Sequence, residues 1–270
     1  WTLNNSSGTL WDLVVSDDDD VVNTGTGTVI TNAGTISAGD DNGLLNATNA
    51  SITTLTNSGT ITAAGDYGLY NAGAITTLTN TGTISASGGN NIGIYNSSPI
   101  TTLNNLQGAS GSALTFAGTL PINYKAIVNS TSDYGKIVFS GVSGTTTFGV
   151  DSSSTLANDT TYSSVLSGLS SSDIASGTSG TIASADACND VSGTTTTISA
   201  NCADLDISGT DSNVTINSGV TISGEGDKNW TLNNSSGTLW DLVVSDDDDV
   251  VNTGTGTVIT NAGTISAGDD

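Results

Sequence analysis

The sequence predicts an all-β protein, a parallel β-solenoid with three short strands in each coil of 23–25 residues. Three observations point there. The chain is rich in Thr, Val, Ile, Gly and Asn and holds only two prolines, a composition of strands and turns and not of disorder. Residues 30–108 repeat short motifs 23 or 25 residues apart, a period typical of stacked architectures. The apolar positions of those motifs recur at matching places in successive copies.

The motif T-N-x-G-T-I occupies residues 31–36, 56–61 and 79–84, with a decayed copy near Asn105. I-T-T-L occupies 52–55, 75–78 and 100–103, and G-[LI]-[LY]-N occupies 43–46, 68–71 and 93–96. One coil cannot bury its apolar side chains alone, whereas coils stacked about 4.8 Å apart form a continuous core. Leu55, Leu78 and Leu103 are expected to stack on one inner face, Leu44, Leu69 and Ile94 on a second, and Ile36, Ile61 and Ile84 on a third. Asn32, Asn57 and Asn80 each stand shortly before a Gly. They are either turn residues tolerating the left-handed region or rungs of an amide ladder; the ladder is the reading taken forward.

A larger repeat encloses the small one. Residues 1–41 and 230–270 are identical, an offset of 229. This is either a simple duplication or a window on a tandem array, with the second copy opening the next unit. The second copy holds seven acids, so one 229-residue unit carries 19 acids against three Lys, a formal charge of −16. An array of such units would be strongly anionic and would resist bundling unless cations screen it.

The expected organisation follows the chain. Residues 1–16 form a closing hairpin, 17–108 the solenoid coils and 109–181 a β-rich cap or spacer. Residues 182–229 are an insertion, 230–245 the hairpin again, and 246–270 the start of the next solenoid. The run N-N-S-S-G between WTL and TLWDLVV is the hairpin signal. All four tryptophans, Trp1, Trp11, Trp230 and Trp240, lie on these hairpin arms. They read as core or capping side chains at a joint, not as a ligand-stacking platform.

The strings TNSGTIT, DYGKIVFSG, YSSVLSGLSSSDI and WTLNNSSGTLWDLVV, in that order along the chain, resemble passenger domains of bacterial autotransporters and related large repetitive β-solenoid surface adhesins. The resemblance implies a right-handed parallel β-helix, hence a right-handed parallel β-solenoid, followed by a folding cap, at the bacterial cell surface. Two departures are visible. The chain re-enters solenoid sequence directly after the hairpin, where such proteins continue into a membrane barrel. About 48 residues also separate the Y-x-x-V-L-S-G stretch from the tryptophan hairpin. That insertion contains I-S-G, V-T-I-N-S-G and V-T-I-S-G echoes of solenoid strands. It is either a further coil or two, or a strand-donating arm that covers an exposed edge of the next unit.

Cys188 and Cys202 are the only cysteines and the chain has no His, which disfavours a metal site. A disulfide suits an extracellular protein and would close a short loop; free buried thiols are the alternative. No cofactor is expected. Calcium is the one ion the acidic runs would suit, through hard oxygen ligands, with Asp17, Asp18, Asp19 and Asp20 as weak candidates. No EF-hand or nonapeptide calcium spacing appears, and a solvated charge run is the plainer reading.

Composition excludes several classes. With no His and no Arg, histidine catalysis and arginine clamps on phosphate are absent, and three Lys cannot make a nucleic-acid footprint. No apolar run is long enough for a membrane helix, and no phosphate loop or nucleophile elbow is present. The expectation is therefore no enzyme but a structural subunit of an extracellular bacterial filament or fibre. Its units would propagate end to end with an adhesive or biofilm-matrix role. Its partner would be itself, as a head-to-tail homopolymer or a covalent tandem array, with other cells or surfaces beyond. The alternatives are a carbohydrate-active β-helix enzyme and a calcium-dependent adhesin with a specific receptor.

Overall fold

In the computed structural model the chain is all-β, and its parallel sheets stack as a β-solenoid of about eight turns. The structure describes residues 2–5, 13–15, 21–157, 159–182, 188–203, 205–223, 228–245 and 250–266, the first two stretches by their backbone alone. Two compact units are present. The first comprises Trp1–Ala157, Thr161–Thr178 and Leu232–Leu242; the second comprises Asn158–Thr160, Ser179–Thr231 and Val243–Asp270.

In the first unit each coil turns through three short strands. Asn42–Asn46, Ser51–Asn57 and Thr60–Ala63 make one coil, and Tyr67–Asn71, Ala74–Asn80 and Thr83–Ala86 the next. Matching strands pair in parallel, like over like. Ile36 faces Ile61 and Ile61 faces Ile84. Leu55 faces Leu78 and Leu78 faces Leu103. Leu44 faces Leu69 and Leu69 faces Ile94. All nine side chains are buried, each contributing about 1.5–3 kcal/mol of transfer free energy. The corner between two of the strands is tight enough to demand glycine. A Cβ on Gly59 would overlap the Gly34 carbonyl, and one on Gly82 would overlap that of Gly59.

The three faces persist unequally. The first carries eight strands, from Thr2–Asn5 to Ile174–Ser176; the third carries four, from Leu13–Val15 to Thr83–Ala86. The second runs from Val21–Asn23 to Thr161–Ser167 and on to Leu239–Ser245. Two faces therefore continue through the segment that the sequence marks as a cap. There the stacked columns become aromatic. Ile94 faces Phe116, which faces Phe139; Leu103 faces Tyr124, which faces Phe148. These rings touch one another, with centroids 5.4 Å apart for Phe116 and Phe139, and fill an interior that has only two stacked walls. One small antiparallel pair, Val128–Ser130 with Asp133–Tyr134, interrupts the stacking.

The third face ends on a side chain. The Ile84 N–H donates to Oε1 of Gln107 at 2.8 Å, and Nε2 of Gln107 donates to the Ile84 carbonyl at 3.3 Å. One amide thus pairs the backbone that a further strand would otherwise pair.

The second unit is a smaller solenoid. Val191–Ser192, Thr195–Ile198 and Cys202–Ala203 form one coil, and Leu205–Ser208, Asn213–Ile216 and Thr221–Ser223 the second. The third is made by Val250–Asn252, Val258–Asn261 and Thr264–Ser266, all in parallel register. Its core is Val191, Ile198, Leu205, Ile207, Val214, Ile216, Val220 and Ile222, with Cys188. The insertion expected between cap and hairpin is thus two coils, and residues of the second sequence copy supply the third.

Candidate functional site

The side chains that recur along this chain are those that join one coil to the next. Two asparagine ladders run through the first unit. Nδ2 of Asn32 donates to Oδ1 of Asn57 at 2.7 Å, Asn57 to Asn80 at 2.8 Å, and Asn80 to Asn105 at 3.2 Å. The second ladder joins Asn23 to Asn46 at 2.8 Å, Asn46 to Asn71 at 2.7 Å, and Asn71 to Asn96 at 2.7 Å. Asn32, Asn46, Asn57, Asn71, Asn80, Asn96 and Asn105 are fully buried. A buried amide left unpaired would cost about 1–3 kcal/mol. Here the neighbouring copies satisfy one another, and the last amides, Asn96 and Asn105, donate to the carbonyls of Thr119 and Gln107, so the ladder rewards an unbroken stack. The second ladder is not among the expectations from sequence, although its signal is present: G-[LI]-[LY]-N ends on Asn in every copy.

The two copies of one sequence meet different neighbours among the described residues. In the first copy, Val21–Asn23 is the edge strand of its face among the described residues. A cleft of about 240 Å³ opens beside it, lined by Val21, Val22, Asn23, Thr24, Gly25, Thr28 and Ile30. In the second copy the matching residues sit on a coil. Leu205 faces Val250, Asp206 faces Val251 and Ile207 faces Asn252, and Val250 packs against the second unit's core. Local geometry is the same in both copies. Thr28 Oγ1 donates to Oδ1 of Asn23 at 2.8 Å, and Thr257 Oγ1 donates to Oδ1 of Asn252 at 3.0 Å. What differs is the neighbour above. Asn23 and Asn32 are buried, whereas Asn252 and Asn261 are exposed, because, among the described residues, the strands carrying the latter two pair on one side alone.

The hairpin is formed by Lys228–Ser236 and Leu239–Ser245. Its turn is Gly237-Thr238, with Gly237 at φ +60°, at the Gly end of the expected N-N-S-S-G run. Gly in the left-handed region suits a two-residue hairpin loop. Trp240 is buried and its Nε1 donates to the Leu169 carbonyl at 2.8 Å. Trp230 is buried with its ring over Gly180, where a Cβ would come within 2.6 Å of Cζ2. The N–H of Ser164, a residue at φ +56°, donates to Oδ1 of Asp241 at 2.6 Å, which ties the hairpin to the Thr161–Ser167 strand. Trp1, Trp11, Asp17, Asp18, Asp19 and Asp20 lie outside the described residues.

Cys188 and Cys202 are joined by a disulfide. Among the described residues no three His, Cys, Asp or Glu side chains converge as a metal site would require. A cleft of about 510 Å³ beside Gln107 is lined, among the described residues, by one carboxylate, that of Asp133. Tyr67 and Tyr95 stack on the outer surface with centroids 4.7 Å apart. Burial, and then the charge of Asp66, raises the phenol pKa of Tyr67 above its ordinary value. Comparison with protein-family models, with curated proteins and with solved structures finds no match to the chain.

Proposed function

We propose that this chain is a structural unit of an extracellular bacterial fibre, extended end to end by β-solenoid coils, with an adhesive or matrix role and no catalytic one. The observation that supports this most directly is the second sequence copy. Residues 250–266 lay a new rung on the preceding coils. A head-to-tail contact that does not close on itself generates an open filament. Stiffness would come from the stacked Ile, Leu and Asn columns, and solubility from the excess of acids. The disulfide is at home in an oxidising exterior.

Electron microscopy of the native material, with the intact mass of its solubilised subunit, tests the reading. Thin rods are the expected result. A mass near one 229-residue unit would identify a non-covalent polymer and a multiple of it a covalent array. Compact particles without rods under either mass would overturn the fibre assignment.

A further inference from the structure

The two copies of one sequence act as a control for each other. The Thr28–Asn32 strand and its counterpart Val258–Asn261 each take a parallel neighbour on the same side, in the same register. In the first copy Leu3 faces Ile30 and Asn5 faces Asn32. In the second, Val214 faces Ile259 and Ile216 faces Asn261. The third face repeats the pattern: Leu13 faces Ile36, and Ile222 faces Ile265. On the second face the coil supplies Leu205–Ser208 to the Val250–Asn252 strand, while the matching edge at Val21–Asn23 is unpaired among the described residues and bears the 240 Å³ cleft.

We infer that the rung at residues 21–37 is a receptor for the coil at residues 205–223 of a second copy of this chain. We further infer that the strands Thr2–Asn5 and Leu13–Val15 are placeholders that leave when it docks. This rests on the end-to-end reading above and names its joint. The coil fits because it already sits on this sequence. Leu205, Ile207, Val214, Ile216 and Ile222 are all buried in the second unit, partly under residues identical to the receptor's. The placeholders have somewhere to go. Their sequence, at residues 231–244, forms the hairpin in its second occurrence, not solenoid strands. Docking would therefore exchange two partial pairings for a full rung and a hairpin. Main-chain bonds would supply affinity and the apolar columns register.

The receptor and the chain's own second copy compete for one coil, and the intramolecular copy holds the advantage of effective concentration. The test weakens that copy alone. Val258→Pro and Thr264→Pro remove the N–H groups that bond to the carbonyls of Ser212 and Val220 at 2.9 Å each. Into the full chain so altered go Val22→Cys and Asp206→Cys. Asp206 faces Val251, the counterpart of Val22, and both positions are exposed. Docked rungs would hold the two Cα atoms about 5 Å apart, within reach of a disulfide. Under mild oxidation this chain should give a ladder of multimers on a non-reducing gel, several-fold stronger than without the proline pair. Chains with either new cysteine alone should stop at dimers. If the prolines reduce the β signal in circular dichroism, Ile259→Thr with Ile265→Thr replaces them, at positions 41% and 38% exposed. A folded chain that gives no ladder, or that gives the same products from single-cysteine variants, overturns the receptor. Rods in the microscope without this cross-link would remove the joint and leave the fibre reading; cross-linked multimers without rods would do the reverse.

Discussion

Ile30 is 1% exposed, while Ile259, the same residue of the same sequence 229 positions later, is 41% exposed. Each has a neighbour on one side, Leu3 and Val214 respectively. Among the described residues only Ile30 has one on the other, Leu55. Burial here is a property of position in the stack and not of local sequence. Ile30→Ala should therefore cost about 3 kcal/mol, the range for a closed aliphatic core, and Ile259→Ala about 1 kcal/mol or less. Urea unfolding of the two variants checks this, and equal losses would refute it.

Asn57 is a two-way link. It accepts from Asn32 and donates to Asn80 and to the Thr83 carbonyl at 3.1 Å. Asn57→Leu keeps the volume but strands the Asn80 Oδ1 and one Asn32 donor site. A loss of about 2–4 kcal/mol is expected, since two buried polar groups lose partners. Asn104, on the outer side of its strand, bonds Thr79 Oγ1 at 3.1 Å, and Asn104→Leu should cost about 1 kcal/mol or less. Thermal melts of the pair separate a ladder from a set of turn residues.

Gln107 ends the third face by bonding both backbone groups of Ile84. Gln107→Ala should uncover that edge, destabilise the first unit by about 1–3 kcal/mol, and increase self-association through the open strand. Light scattering of the variant against the parent, at matched concentration, is the measurement. An unchanged association state together with unchanged stability would show that the amide does not cap the edge.

The coils at residues 30–108 are legible in the sequence because each strand repeats its own residues at fixed spacing. Ile36, Ile61 and Ile84 announce a column by that spacing alone. The ladder through Asn23 is less legible, although Asn46, Asn71 and Asn96 stand in a recognised motif, because Asn before a loop also suits a turn. Residues 109–181 read as a cap in sequence because Phe116, Tyr124, Phe139 and Phe148 share no motif. They continue the columns of Ile94 and Leu103 by size and polarity alone. Nothing in the letters marks Gln107, since its role depends on a strand that is missing. The two fates of residues 1–41 are equally hidden: identical letters cannot encode different neighbours.

The disulfide should matter to one unit only. Cys188 and Cys202 enclose a separation of 14 residues, for which loop entropy gives about 3 kcal/mol. A solenoid of three short coils has little else to spare. Reduction should lower protection from hydrogen exchange at residues 191–222 and leave that at residues 42–103 unchanged. Uniform loss along the chain would contradict the division into two units.

Tyr124 sets an alkaline limit. It is fully buried between Leu103 and Phe148, and burial drives its phenol pKa well above the ordinary value, opposed in part by the nearby Asn105 side chain. Tyr162 shifts in the same direction, again mainly through burial. A group whose folded pKa exceeds its unfolded one holds its proton in the fold and loses it on unfolding. The stability it contributes is therefore complete below about pH 10 and falls above it, by about 1.4 kcal/mol per pH unit per group. Tyr124→Phe removes that dependence while keeping the ring stacked on Phe148, at 6.1 Å between centroids in the parent. Denaturation between about pH 9 and 11.5, a window that spans the unfolded phenol pKa, should show the variant falling less steeply by about one such increment; parallel curves would place the alkaline sensitivity elsewhere.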